Sequence, residues 1–209
     1  MTGRRRAGRV AWPCFPLLVV SAAACGDPPV PLPESAPLPA DEVHLYMTFR
    51  ELARARPSAV LVPDTGVVEL LMRGYHRYGF TTNPPRRGSR LVYVDHVEEE
   101  TEGMREDWAR REWDTLVEAL ARELEIEPRC AEIEYARLKW RRAMLEEEGR
   151  PVAAAVEIVA VTTGDPEPGE AELITRVWLT EHAAPVSRFL EGPQGTEDSP
   201  IQWRDCEEG

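Results

Sequence analysis

Long apolar runs are scarce in this 209-residue chain. The one that opens it, residues 10–20, falls well short of the roughly 20 residues a helix needs to cross a bilayer, and Pro13 and Pro16 weaken it further. Bases are outnumbered, with 25 Lys and Arg against 37 Asp and Glu, for a formal charge of −12. A surface of that sign repels a phosphate backbone, which argues against nucleic acid as a partner. Aromatics make up only 7% of residues, and there are four cysteines and four histidines. Neither a heptad pattern nor a glycine repeat is present, and 43% of residues are apolar, so rods, collagen-like chains and wholly disordered chains are excluded.

The bases are also unevenly placed. Residues 1–24 hold Arg4, Arg5, Arg6 and Arg9 and no acid, so the remainder carries 21 bases against 37 acids, a net of −16. A basic opening, an apolar stretch and the small residues Ser21-Ala22-Ala23-Ala24 make the features of a secretory signal peptide over residues 1–24. Arg4-Arg5-Arg6 is followed by Ala7-Gly8-Arg9, without an apolar pair, so general secretion is preferred to the twin-arginine route. The segment Ala22-Ala23-Ala24-Cys25 resembles the lipobox of bacterial lipoproteins. That resemblance, confined to residues 1–25, implies cleavage before Cys25 and acylation of its sulfur, which becomes the membrane anchor. It also implies a cell-envelope location on the periplasmic side. The Asp that retains some inner-membrane lipoproteins directly after the Cys is displaced here to Asp27, which favours the outer membrane. Ordinary secretion is the alternative, because Ala22-x-Ala24 is also a small-residue cleavage site. With Cys14 removed and Cys25 acylated, Cys130 and Cys206 remain. They are expected to form a disulfide in an oxidising compartment, the alternative being two free thiols.

Residues 26–42 contain six prolines and no helical or strand period. The expectation is a semi-rigid polyproline spacer of about 50 Å, at roughly 3.1 Å per residue, that holds the body off the bilayer; the alternative is a segment wrapped on the body's surface. The body, residues 43–192, is long enough for one core. A first helix is expected where Leu45, Tyr46, Phe49, Leu52 and Ala53 share a face behind Asp41 and Glu42. A short strand follows over 59–62. A second helix is expected after Asp64 or Thr65, with Val67, Val68, Leu71, Met72 and Tyr75 inward and Gly79 at its end. A loop over 83–90 feeds a strand over 91–97. The best helix carries Ala109, Trp113, Leu116, Val117, Leu120 and Leu124 on one face and stops before Pro128. Residues 131–145 read as a strand with a break in phase at 138–140, and 152–163 with 171–180 read as a hairpin, so the C-terminal half forms a three-stranded meander. A short closing helix over 185–190 and a loop-like tail over 193–209 complete the chain. The expected fold is a single α+β domain, helices packed on one face of a small antiparallel sheet.

Motifs for chemistry fail on their own terms. Asp64-Thr65-Gly66 matches one half of an aspartic-protease dyad, but two carboxylates must share a proton and only one copy exists. His44, His76, His96 and His182 include no HExxH and no i, i+4 pair, and no CxxC is present, so neither a metal nor a cofactor is expected. Asp95 and His96 point to opposite faces of their strand. No serine lies in a GxSxG turn, and no glycine loop cradles phosphate. The acidic runs 98–102 and 146–148 lack the alternating ligands of an EF-hand loop.

One asymmetry stands out. Arg73, His76, Arg77, Arg86, Arg87 and Arg90 cluster with Tyr75, Tyr78 and Phe80 inside an acidic chain, and Arg beside aromatics marks interface cores. These residues form the candidate binding patch; the alternative is a surface loop bound to nearby glutamates. The functional expectation is a lipid-anchored, non-enzymatic binding or assembly module of the cell envelope, its partners the membrane, through the lipid, and an envelope protein. The rivals are an exported hydrolase whose site is assembled from distant residues, and an accessory subunit of an envelope complex.

Overall fold

The computed structural model describes residues 28–62, 67–72, 74–98, 104–135, 138–161, 170–182 and 201–206. The proline-rich segment does not stand clear of the body as a spacer. Leu32, Ala36 and Leu38 are buried in the common core, and β1 (Val30–Pro31) pairs antiparallel with β2 (His44–Leu45). The Glu123 carboxylate accepts the Glu34 and Ser35 backbone N–H groups at 2.8 and 3.0 Å, fastening the segment. Proline stiffness serves here to fit a groove, because the three apolar residues between the prolines have water to escape.

The first helix begins later than the acids at 41 and 42 suggest. Thr48 and Glu51 form a capping box: the Thr48 hydroxyl accepts the Glu51 N–H at 3.2 Å and the Glu51 carboxylate accepts the Thr48 N–H at 2.6 Å. Two otherwise orphaned donors close reciprocally, and α1 (Phe49–Ala55) follows. Leu45, expected in that helix, lies in β2 instead, and Tyr46, with φ of 70°, lies in the turn that follows. The Tyr46 N–H donates to Leu91 O, and the Leu91 N–H donates to Met47 O, both at 2.8 Å.

β3 (Val60–Val62) follows, as expected for 59–62. The expected second helix is a hairpin, β4 (Val67–Met72) with β5 (Gly74–Phe80), whose register pairs Val68 with Tyr78 and Leu70 with His76. Asp64 and Thr65, its expected caps, lie outside the described residues. Gly79, expected to end the helix, sits at an irregularity of strand register between Gly79 and Phe80, a common use of glycine in strands. After the loop comes β6 (Leu91–Glu98), then the two-residue β7 (Met104–Arg105) and α2 (Glu106–Leu124). α2 buries Ala109, Trp113, Val117 and Leu120 and carries Glu106 and Asp107 in its first turn, where the helix dipole favours acids. It ends at Glu125, with φ of 55°, where the Ile126 N–H reaches back to Ala121 O at 3.2 Å.

The stretch 131–145 is two strands, β8 (Arg129–Tyr135) and β9 (Leu138–Leu145). Gly149, with φ of 85°, takes the left-handed position in the turn to β10 (Val152–Val161), which pairs along its whole length with β11 (Glu170–Leu179). β12 (Arg204–Asp205) closes the described chain. The expected helix over 185–190 and residues 193–200 of the expected loop-like tail lie outside the described residues, whereas residues 204–205 of that tail form a strand, not a loop, because they pair with β8.

The fold is α+β and sheet-dominated, with one large antiparallel sheet in the order β12-β8-β9-β10-β11-β6-β5-β4-β3. β7 adds to β11 off this path. The small sheet expected from the sequence is thus corrected to one more than twice the size of a three-stranded meander, because two segments each hold a hairpin where one element was read. Two four-stranded meanders, β3–β6 and β8–β11, meet through their last strands. One register row, Leu145, Ala154, Val177, Val94, Tyr78 and Val68, crosses six strands and is buried throughout. α2 lies over this face: the Trp113 indole N–H donates to Val156 O at 3.0 Å, and the Arg141 guanidinium stacks 4.1 Å from the Trp113 ring.

Candidate functional site

The structure does not bring the arginine-rich cluster together. Arg73 lies outside the described residues. His76 and Arg77, neighbours on β5, point to opposite faces of the sheet. Arg86 and Arg87 are exposed on the loop before β6, which is tied internally: the Arg86 N–H donates to the Ser89 hydroxyl at 2.8 Å. Arg90 donates from its guanidinium to Tyr46 O at 3.0 Å and so fastens the turn before α1. The five described residues are thus placed apart, and His76 and Arg77 lead to two buried polar clusters.

The first cluster is a ladder of alternating charge on the face away from α2, running Arg142, Glu157, Arg176, Asp95, Arg77 across β9, β10, β11, β6 and β5. Arg142 Nε and Nη2 each lie 2.6 Å from Glu157 Oε1, and Arg176 Nε donates to the same oxygen at 3.1 Å. On its other side Arg176 Nη1 reaches Asp95 Oδ2 at 3.2 Å and the Tyr93 hydroxyl at 2.7 Å, and that hydroxyl donates to Asp95 Oδ2 at 2.7 Å. Arg77 completes the row, its Nε 3.1 and 3.0 Å from the two Asp95 oxygens. Asp95 is 0% exposed and Arg176 only 7%. Burial pulls the Arg176 pKa down, but Tyr93, Glu157 and Asp95 around it prevail and raise it. Burial, with the Asp95 charge beside it, holds the Tyr93 phenol protonated far above its ordinary range. Every carboxylate oxygen in the row is engaged by a guanidinium. The cluster is therefore a brace between strands and has no carboxylate oxygen left over for acid–base chemistry.

The second cluster is on the α2 face. His76 and His96, directly opposite each other on β5 and β6, stack with ring centroids 4.6 Å apart. Asp95 and His96 do face opposite ways, as alternation requires. Burial first, then the neighbouring His96, lowers the His76 pKa to about 4, with Asp95 acting against and Arg56 adding to the shift; burial also lowers that of His96. Both rings are thus folded as neutral imidazoles. The folded pKa lies below the unfolded value of 6.5, so the unfolded chain binds the extra proton first. The associated stability is complete above pH 6.5 and declines as pH falls toward 4. Urea midpoints at pH 7, 5.5 and 4.5 are expected to fall with pH, and to fall less steeply in His76→Gln. Parallel slopes for the two proteins would show that His76 contributes nothing to acid sensitivity.

The remaining histidines are separate: His44 Nδ1 lies 2.8 Å from Leu45 O and His182 Nε2 lies 3.5 Å from Glu181 Oε1. Among the described residues no group of three or more His, Cys, Asp or Glu side chains is placed to hold a metal ion. Cys130 and Cys206 form a disulfide, which pins β12 to β8. Beside it lies a groove of about 710 Å³ between α2 and β12, lined by Trp113, Val117 and Ala121 and by the exposed acids Asp114, Glu118, Glu127 and Asp205.

No family model, curated protein or solved structure matches this chain. Among the described residues, the groove beside the disulfide combines partly apolar walls with an excess of acids over bases. Nothing in the helical stripe of α2 marked it, because Asp114 and Glu118 each follow directly on an apolar position of that stripe, as the polar residues of any amphipathic helix do. Only the pairing of Cys130 with Cys206, which brings β12 alongside that helix, turns an ordinary polar face into one wall of a groove.

Proposed function

We propose that this chain is an exported protein, anchored to the cell envelope by a lipid on Cys25, that works as a non-enzymatic binding module. The observation that carries the reading is the Cys130–Cys206 disulfide, because such bridges persist in oxidising compartments outside the cytoplasm. It agrees with the lipobox-like Ala22-Ala23-Ala24-Cys25 segment. Binding rather than catalysis is favoured by the full engagement of the buried acids Asp95 and Glu157 with arginines.

The docked proline segment changes the geometry of anchoring. From Cys25 to Pro28 the chain spans at most about 11 Å at roughly 3.6 Å per residue, so acylation would hold the body directly against the bilayer. The lipid would do this work alone, since an acidic surface gains nothing from anionic headgroups. An N-terminal peptide beginning at an acylated Cys25 is expected from mass spectrometry of the native protein. Cys25→Ser is expected to leave the membrane fraction. A free thiol at position 25 in the native protein, or an unchanged membrane fraction for the variant, would sink the proposal.

A further inference from the structure

We propose that the groove between α2 and β12 is a docking site for a basic amphipathic segment of a partner protein; this rests on the reading of the chain as a binding module and names the chemistry of what it binds. Trp113, Val117 and Ala121 recur at i, i+4, i+8 on α2 and line the groove; Trp113 and Val117 are core residues only 2% and 4% exposed, so the half-buried Ala121 carries most of the open apolar surface on the helix side. From Trp113 to Arg122 the helix offers about 14 Å of wall at 1.5 Å per residue, the length of a short helical or extended segment. The volume of about 710 Å³ falls within the range of ligand sites.

Charge selects the occupant. Asp114 and Glu118 line the groove from α2, Glu127 from the chain just after it and Asp205 from β12, against the single lining base Arg122. All four acids are exposed, and among the described residues none is held in an ion pair or hydrogen bond. Other exposed acids are committed, such as Glu132 to Arg141 and Glu147 to Arg150. Free carboxylates from both α2 and β12 around a partly apolar groove complement a segment with an apolar side chain between Lys or Arg residues. Charges of this kind set specificity and association rate, while the apolar lining supplies the buried contact. The disulfide holds the β12 wall in place, so the site exists as built only in the oxidised protein.

The test uses the oxidised mature protein and a fluorescently labelled Lys/Leu amphipathic 14-mer, read by anisotropy, with a Glu/Leu peptide of the same pattern as its control. The Lys/Leu peptide is expected to bind and the Glu/Leu peptide not to. Asp114→Lys with Glu118→Lys is expected to weaken binding by at least about tenfold. Ala121→Trp, which fills the groove, is expected to do the same without changing charge, and urea midpoints report whether either variant is folded. Glu146→Lys with Glu148→Lys reverses as much charge in the exposed turn before β10 and is expected to change binding by less than about twofold. Equal weakening by this distant pair, or no binding of the Lys/Leu peptide at all, would overturn the proposal. Neither result touches the acylation of Cys25, which is read independently by mass.

Discussion

Replacing Arg176 by methionine is expected to destabilise the fold by about 3–5 kcal/mol, because the substitution strands two buried acids at once. Arg176 is the centre of the ladder: Nε serves Glu157, and Nη1 serves both Asp95 and the Tyr93 hydroxyl. Glu157 would keep Arg142, and Asp95 would keep Arg77, but each carboxylate would lose a charged donor in a place with almost no water. Desolvation makes such a loss far more costly than the net value of the intact pairs, which for buried ions is small. With a urea slope of about 2 kcal/mol/M the midpoint falls by roughly 1.5–2.5 M. Arg176→Lys separates charge from geometry. It restores a positive group but not the fork that spans three partners, and should fall between the wild type and methionine. A methionine variant within about 0.3 M of the wild-type midpoint would mean that the row is solvated and the ladder is not a brace.

That ladder marks the limit of what could be read in advance. Asp95 facing away from His96 was legible from strand alternation, as were the helix over 106–124 from its apolar stripe and the 152–161 with 170–179 hairpin from its Val and Ile content. The pairing of Arg77 with Asp95 was not, because it depends on β4 and β5 being strands. The run Val67-Val68-Glu69-Leu70-Leu71-Met72 is apolar at nearly every position, so helical and strand periods fit it equally, and Gly79 looks like a helix end as readily as a strand irregularity. Residues 131–145 misled for the opposite reason. The break in phase at Leu138-Lys139-Trp140 is the point where a new strand begins, and its buried Trp140 and Arg142 belong to the ladder face. The proline segment was misjudged because its composition describes stiffness, and stiffness is compatible with lying in a groove as much as with standing in water. The groove along α2 stayed hidden because a groove needs a second wall, and β12 supplies it from far along the chain.

Reducing the Cys130–Cys206 bridge is expected to lower stability by about 4.5 kcal/mol, the chain-entropy value for a loop of 76 residues. Little else secures β12. It pairs with β8 over only two positions, Arg204 with Cys130 and Asp205 with Arg129. Among the described residues its ion pair, Arg204 with Glu132 at 3.3 Å, is exposed at both ends and contributes little. The loss should therefore divide in two. The unfolded chain gains freedom, which lowers the urea midpoint, and the folded chain frees β12, which opens one wall of the groove and weakens the Lys/Leu peptide before the body unfolds. Cys206→Ser should reproduce both effects and make the protein insensitive to dithiothreitol. Wild-type protein whose thiols titrate as free after reduction, yet which keeps its midpoint and its peptide affinity, would show that β12 is held by contacts other than the sulfur bridge. The groove would then be independent of redox state, and its exposure to an oxidising envelope would carry no structural consequence.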